Sequence, residues 1–304
     1  MLKKILILGS EGFIGSNLVQ YFLKENYNVV GCDISEASKN KNIVYIPNDK
    51  KPEFWNYLFT QTSPDICINA AGNGSIAYSI QYPLKDFEAN CYDLVCVLEA
   101  IRLSSNFCKY LHISSAAVYG NPTDSPVRED GALNPISPYG WHKLQSENIC
   151  REYSELYGIN IAIIRPFSVY GNGLKKQLLW DICEKLRNSD RISLYGTGNE
   201  TRDFIHINDL AKLIQIITEK DNYKCEIYNA ASGIEVSVNH VAIIMKQNFD
   251  DSKNISFSGE TKQGDPLHWQ ADISKITTLG FKPIMDFNKN LMAYVDWFKR
   301  IINA

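Results

Sequence analysis

The stretch "KILILGSEGFIGSNL", Lys4 to Leu18, decides how the chain is read. Ile5 to Leu8 form a short unbroken apolar run, as a strand buried on both faces requires. Gly9, Gly12 and Gly15 follow at intervals of three, and "IGSNLVQYFLKE" then has the spacing of a helix. Each glycine has a steric role: a tight turn, close approach of backbone to a pyrophosphate, and close packing of helix on strand. The helix start adds free N–H groups and a positive dipole end. The same stretch superficially imitates a secretory signal, but its apolar run is too short and no small-residue cleavage site follows.

Outward from this unit, short apolar runs alternate with amphipathic ones: "NVVGCD", "NIVYIP", "DICINAA", "DLVCVLEAIRLS", "KYLHISS" and "INIAIIR". That rhythm predicts an α/β fold, a Rossmann-type doubly wound parallel sheet with helices on both faces. Beyond Arg165 the rhythm becomes irregular, which predicts a smaller mixed α/β carboxyl-terminal lobe. The expected division is residues 1–165, with 201–222 returning, for dinucleotide binding, and 166–200 with 223–304 for the substrate.

Composition narrows the partners. The chain has 304 residues, 45% hydrophobic and 21% charged, enough for a substantial core. A net charge of −3 leaves no electrostatic footprint for nucleic acid or an anionic membrane surface. No apolar stretch is long enough to cross a bilayer. Eight cysteines without a C-x-x-C pair read as buried residues of a reducing, cytoplasmic compartment. The five histidines show no metal-ligand spacing, so no metal is expected.

Asp33 ends the second strand, 18 residues after Gly15, where a carboxylate binds the adenosine ribose hydroxyls. It would repel the extra phosphate of NADP, and "DISEAS" offers no Lys or Arg to neutralise it, so NAD is the expected cofactor. Asp49 follows the third strand and Ala70 and Ala71 the fourth, at the sheet edge where a dinucleotide lies. Asp49 is a candidate for the adenine; the two alanines would let the cofactor approach the backbone.

Ser114 and Ser115 close the fifth strand, and "SPYGWHK", Ser137 to Lys143, opens the next helix. Tyr139 and Lys143 stand four apart and share a helix face. They would converge with Ser115 beside the nicotinamide. Lys143 would hold the ribose and, with the positive ring, lower the pKa of Tyr139 so that its phenolate serves as base. His142 is one place from Lys143 and on another face, and is expected to take no part.

With these motifs and "SPDICINAAG", "FEANCYDLVCVLEA", "SSAAVYG", "IRPFSVYG", "TRDFIHINDLA", "NAASG" and "GDPLHWQADISKI", the chain resembles the extended short-chain dehydrogenases/reductases over nearly its whole length. Within them it is similar to the NAD-dependent nucleotide-sugar epimerases and dehydratases, in the manner of the UDP-glucose 4-epimerases. The resemblance implies that Phe13, Ile14, Gly72, Asn90, Ser114 and Pro166 complete the cofactor site. It also implies a nucleotide-diphosphate sugar as substrate: Arg202 and Lys262 on the diphosphate, Asp265 on the ribose, Tyr195 on the base, Ser168 and Ser115 near the sugar. Lys262 replaces a usual arginine, losing the bidentate fork. Ala116 and Ala117 stand where dehydratases carry an Asp-Glu pair. That leaves a 4-epimerase, favoured by Asp33, or an NAD(P)H-dependent reductase of an NDP-4-keto-6-deoxysugar. Apolar stripes on "CYDLVCVLEAIR" and "KLQSENICREYSELY" match helices that pair across a two-fold axis in relatives, implying a homodimer.

Overall fold

The computed structural model describes residues 2–49, 51–104, 108–260, 264 and 266–303. Among them the strands are β1 (Lys4–Leu8), β2 (Asn28–Asp33), β3 (Val44–Pro47), β4 (Ile66–Asn69), β5 (Lys109–Ile113), β6 (Ile161–Pro166), β7 (Ser168–Tyr170), β8 (Arg191–Leu194), β9 (Thr201–His206), β10 (Lys224–Ala230), β11 (Glu235–Ser237) and β12 (Asn254–Phe257). The helices are α1 (Phe13–Lys24), α2 (Pro52–Thr62), α3 (Ile76–Gln81), α4 (Pro83–Phe87), α5 (Asp93–Leu103), α6 (Pro138–Tyr157), α7 (Gln177–Asn188), α8 (Ile207–Lys220), α9 (Val238–Phe249), α10 (Ser274–Thr278) and α11 (Phe287–Ile302). None of these helices is long and apolar enough to cross a membrane.

Seven strands make the main parallel sheet in the order β10-β6-β5-β4-β1-β2-β3. Successive strand residues point to opposite faces, so β1 feeds two cores. Ile5 and Ile7 pack with Leu18 and Phe22 of α1 and with Leu210, Ile214 and Ile217 of α8. Leu6 and Leu8 pack with Leu58 and Phe59 of α2, Leu94 and Leu98 of α5, and Cys150 of α6. Both faces are therefore covered, which is why the strands read as unbroken apolar runs.

The second lobe has its own core, built by Leu179, Ile182 and Leu186 of α7, Val241 and Met245 of α9, and Leu291, Val295 and Phe298 of α11. Phe13, the first residue of α1, packs against this core as well as that of the main sheet.

Two boundaries differ from the sequence reading. The segment Lys224–Ala230, assigned to the substrate lobe, is the edge strand of the main sheet, paired parallel with β6. Its neighbour β9, expected to return to that sheet, instead lies between β7 and β11 in a separate three-stranded sheet. Only α8 of the returning segment covers the main sheet.

Candidate active site

The main sheet reverses direction of winding between β1 and β4, and a crevice opens there at the carboxyl ends of the strands. Residues of both lobes line it, enclosing about 980 Å³, at the upper end of the range for ligand sites.

The cofactor wall comes first. Gly9 turns the chain at φ 74, and a Cβ there would lie 2.7 Å from the Ala71 amide nitrogen. A Cβ on Gly15 would come within 2.0 Å of the Gly9 carbonyl, so α1 seats directly on that turn. Gly12, Phe13 and Ile14 line the crevice, as do Ala70, Ala71, Gly72 and Pro166, and the glycine turn packs directly on the Ala70–Ala71 backbone. No side chain caps α1 at Gly12. Its first-turn N–H groups thus remain available to an anion, which is the arrangement a dinucleotide pyrophosphate fits.

Asp33 ends β2 as expected, and its carboxylate also braces the glycine turn. It accepts hydrogen bonds from the Glu11 amide at 3.0 Å and the Ser35 amide at 3.3 Å. Asp49 does not line the crevice; it accepts from the Lys51 amide at 3.0 Å beyond β3. Asn90 is buried behind the wall, in a π-helical turn over Glu88–Tyr92. Its Nδ2 donates to the Asp86 carbonyl, while Oδ1 has no partner and lies 2.7 Å from where a Gly72 Cβ would stand.

The reaction centre is assembled by β5 and α6. Ser137 caps α6 by accepting from the Gly140 amide at 3.1 Å, and Pro138 takes the first helical position. Tyr139 and Lys143 therefore share a face one turn apart. Lys143 is buried, donates to the Ile113 carbonyl at 3.1 Å, and holds its Nζ 6.0 Å from the Tyr139 ring centroid. Ser115 accepts from the Ala117 amide at 3.1 Å and is hydrogen-bonded to the Tyr139 hydroxyl. All three line the crevice.

The electrostatics correct one expectation. Burial pushes the half-buried Tyr139 up to about 12, against the pull of Ser115 and with a further push from the Asp86 charge. Lys143 moves the other way: burial brings it down to about 8, although Asp86 acts to raise it. The protein groups alone leave the phenol protonated at neutral pH.

Ser114 lines the crevice beside Ser115. Its hydroxyl donates at 2.5 Å to Glu147, which forms a buried bidentate pair with Arg165 at 2.9 and 2.7 Å. That pair fixes α6 on β6 beneath the site. Asp86, which the sequence reading passed over, is fully buried, accepts from Asn73 at 2.5 Å and pairs with His142 Nδ1 at 2.5 Å. His142 thus anchors α6 to α4 and does not line the crevice.

In the second lobe Ser168, Tyr195 and Arg202 line the opposite wall. Asp203, next to Arg202 in the chain, is fully buried and accepts from Ser232, Gly233 and Ala271. Burial raises its carboxyl to about 6. Lys262 and Asp265 lie outside the described residues. Several lining residues were missed, among them Trp269 and Lys176. Trp269 packs edge-on against Phe167 and donates to the Gly120 carbonyl at 3.0 Å. Lys176, just before α7, had no sequence signal beyond its charge. Trp180 also lines the crevice while packing on Phe298.

A glycine-turned dinucleotide crevice with serine, tyrosine and lysine at its floor defines an NAD-dependent enzyme of the extended short-chain dehydrogenase/reductase class. The chain belongs to the NAD dependent epimerase/dehydratase family, whose model matches residues 5–231. It is 32% identical to a putative UDP-glucose 4-epimerase of Methanocaldococcus jannaschii, over 97% of this chain and 98% of that protein. It is 26% identical to a UDP-glucose 4-epimerase of Mycolicibacterium smegmatis, over 97% and 98% of the two chains. The UDP-glucuronic acid 4-epimerase of Bacillus cereus, solved with UDP-glucuronic acid and NAD, superposes with a TM-score of 0.89 at 28% identity, covering 98% of this chain and 99% of that one.

Proposed function

We propose that the protein is a nucleotide-sugar 4-epimerase working through a transient 4-keto sugar, with NAD retained in the cleft. Gly12, Phe13, Ile14 and the Ala70–Gly72 loop would hold the pyrophosphate, Asp33 the adenosine ribose, and Lys143 the nicotinamide ribose. When bound, NAD supplies a reversible hydride acceptor. Tyr139 takes the proton from the sugar 4-hydroxyl, and its charge is stabilised by the Ser115 hydroxyl and by the cation beside it. Because the phenol starts near 12, a positive charge in the cleft is what makes it a base at neutral pH. The same phenol returns the proton once the keto sugar has turned its other face.

The observation that carries this reading is the solitary acid–base group. Tyr139 pairs with Ser115 beside Ala117, and the carboxylates lining the cleft, Asp181, Glu184 and Glu200, all come from the other lobe. Removal of water across C5 and C6 needs an additional acid and base at those carbons. Epimerisation needs one group used in both directions. The similarity to named UDP-sugar 4-epimerases supports the same choice.

In this reading the main sheet with α8 and β10 holds the cofactor, and the second lobe, through Ser168, Tyr195, Arg202, Lys262 and Asp265, holds the sugar nucleotide. A second copy of the chain covers the α5–α6 face, and the free cysteines fit a cytoplasmic setting. The test is incubation with UDP-glucose, UDP-glucuronic acid and UDP-N-acetylglucosamine without added nicotinamide, read by proton NMR. Interconversion of 4-epimers is expected for at least one; protein inert until NADPH is supplied would be a reductase.

A further inference from the structure

We propose that Lys176 is a diphosphate-binding residue, reaching across the cleft to the loop that carries Gly74. Its substrate arm rests on the epimerase reading; its cofactor arm does not.

The segment before α7 is anchored. Leu174 is buried in the second-lobe core, and its carbonyl accepts from the Tyr294 hydroxyl at 2.5 Å. Gly173 rests on the ring of Phe13, with a Cβ position 3.7 Å from it. From this fixed base Lys176 enters the cleft, and its Nζ stands 3.4 Å from where a Gly74 Cβ would be. The missing side chain at Gly74 leaves room for the ammonium. Next to it, Gln177 holds φ 66, in the left-handed region that a residue with a Cβ rarely adopts.

What the ammonium lacks is a partner. It makes no hydrogen bond or ion pair among the described residues, and burial alone lowers its pKa, with no carboxylate acting against that shift. Lys176 is exposed to the cleft rather than sealed off from water, and an ammonium facing the cleft with no protein counter-charge presents a demand that an entering anion can meet. The walls formed by Gly12–Ile14 and Ala70–Gly72 line the same crevice as Lys176. A diphosphate, with oxygens enough for both walls and the ammonium, fits that demand. It comes either from the dinucleotide or from the sugar nucleotide.

Lys176→Met and Lys176→Arg are to be titrated calorimetrically with NAD, and after NAD loading with UDP, beside adenosine and uridine as controls without a diphosphate. In Lys176→Met, a roughly tenfold or larger loss of affinity is expected for NAD or for UDP, with the nucleosides unaffected. Lys176→Arg should recover most of it. The ligand whose affinity falls names the source. Affinities for both within about twofold of the parent would overturn the assignment. An unchanged melting temperature of the ligand-free variant excludes loss of folding as the cause. Should UDP bind neither protein, the epimerase reading falls and the NAD titration alone decides the lysine.

Discussion

Tyr139 and Lys143 are displaced by one cause, burial, in opposite directions, up to about 12 and down to about 8. The pair is thus poised so that any cation entering the cleft shifts the phenol toward its reactive form. Tyr139→Phe keeps the ring and its packing and removes only the proton carrier. Turnover should fall roughly 100- to 10,000-fold with KM little altered. Steady-state rates compared at saturating sugar nucleotide check this; turnover at the parent rate would rule out the phenol. Ser115, Tyr139 and Lys143 were legible because strand end, helix start and a four-residue interval fix their meeting place. Asp86 and Lys176 were not. One is an acid in a helix whose burial depends on packing by α6, the other a lysine in a loop whose direction depends on Leu174 and Tyr294.

Most strands and helices of the main sheet could be read from period alone, because both of its faces are covered. The exceptions have local causes. β10 is an edge strand with a register shift at Cys225, which holds φ 59, so its apolar pattern is broken. β9 is polar over Thr201–Asp203 and apolar only at Phe204 and Ile205, and it serves a small sheet between β7 and β11. The outer face of α5 and α6 leaves Leu103, Trp141, Leu156 and Tyr157 exposed. Burying such a surface against its own symmetry mate would remove the largest side chains from water. Solution scattering at micromolar protein should give twice the mass of one chain, and a monomer mass would exclude the pairing.

Across the whole molecule, the response of stability to acid follows from desolvated groups of two kinds, histidines and carboxyls. Burial lowers His206 to about 4 and His112 well below its ordinary value, so both are neutral in the folded chain. The unfolded chain binds protons at these sites near pH 6.5, and stability present above that pH is lost as pH falls toward 4. Asp203, raised to about 6, has the reverse sign: its contribution is present below the unfolded carboxyl value and lost as pH rises through 6. The two histidines lower the melting temperature between pH 7 and 5, opposed by Asp203 and by Asp209 and Asp221, whose carboxyls burial also raises. His206→Asn keeps a capping acceptor at the start of α8 and should flatten that slope. A slope identical to the parent's would exclude His206 as the source.

The ring of Phe13 is shared by two cores, and this sets how the enzyme exchanges its contents. Parting the lobes would strip that ring from one side or the other, so wide opening belongs to the rare, costly excursions of the fold. A small sugar nucleotide needs only the rim between Tyr195 and Arg202 to come and go. A dinucleotide held at the Gly12–Ile14 turn, beside that ring, would on this reading stay on as a resident through many catalytic cycles.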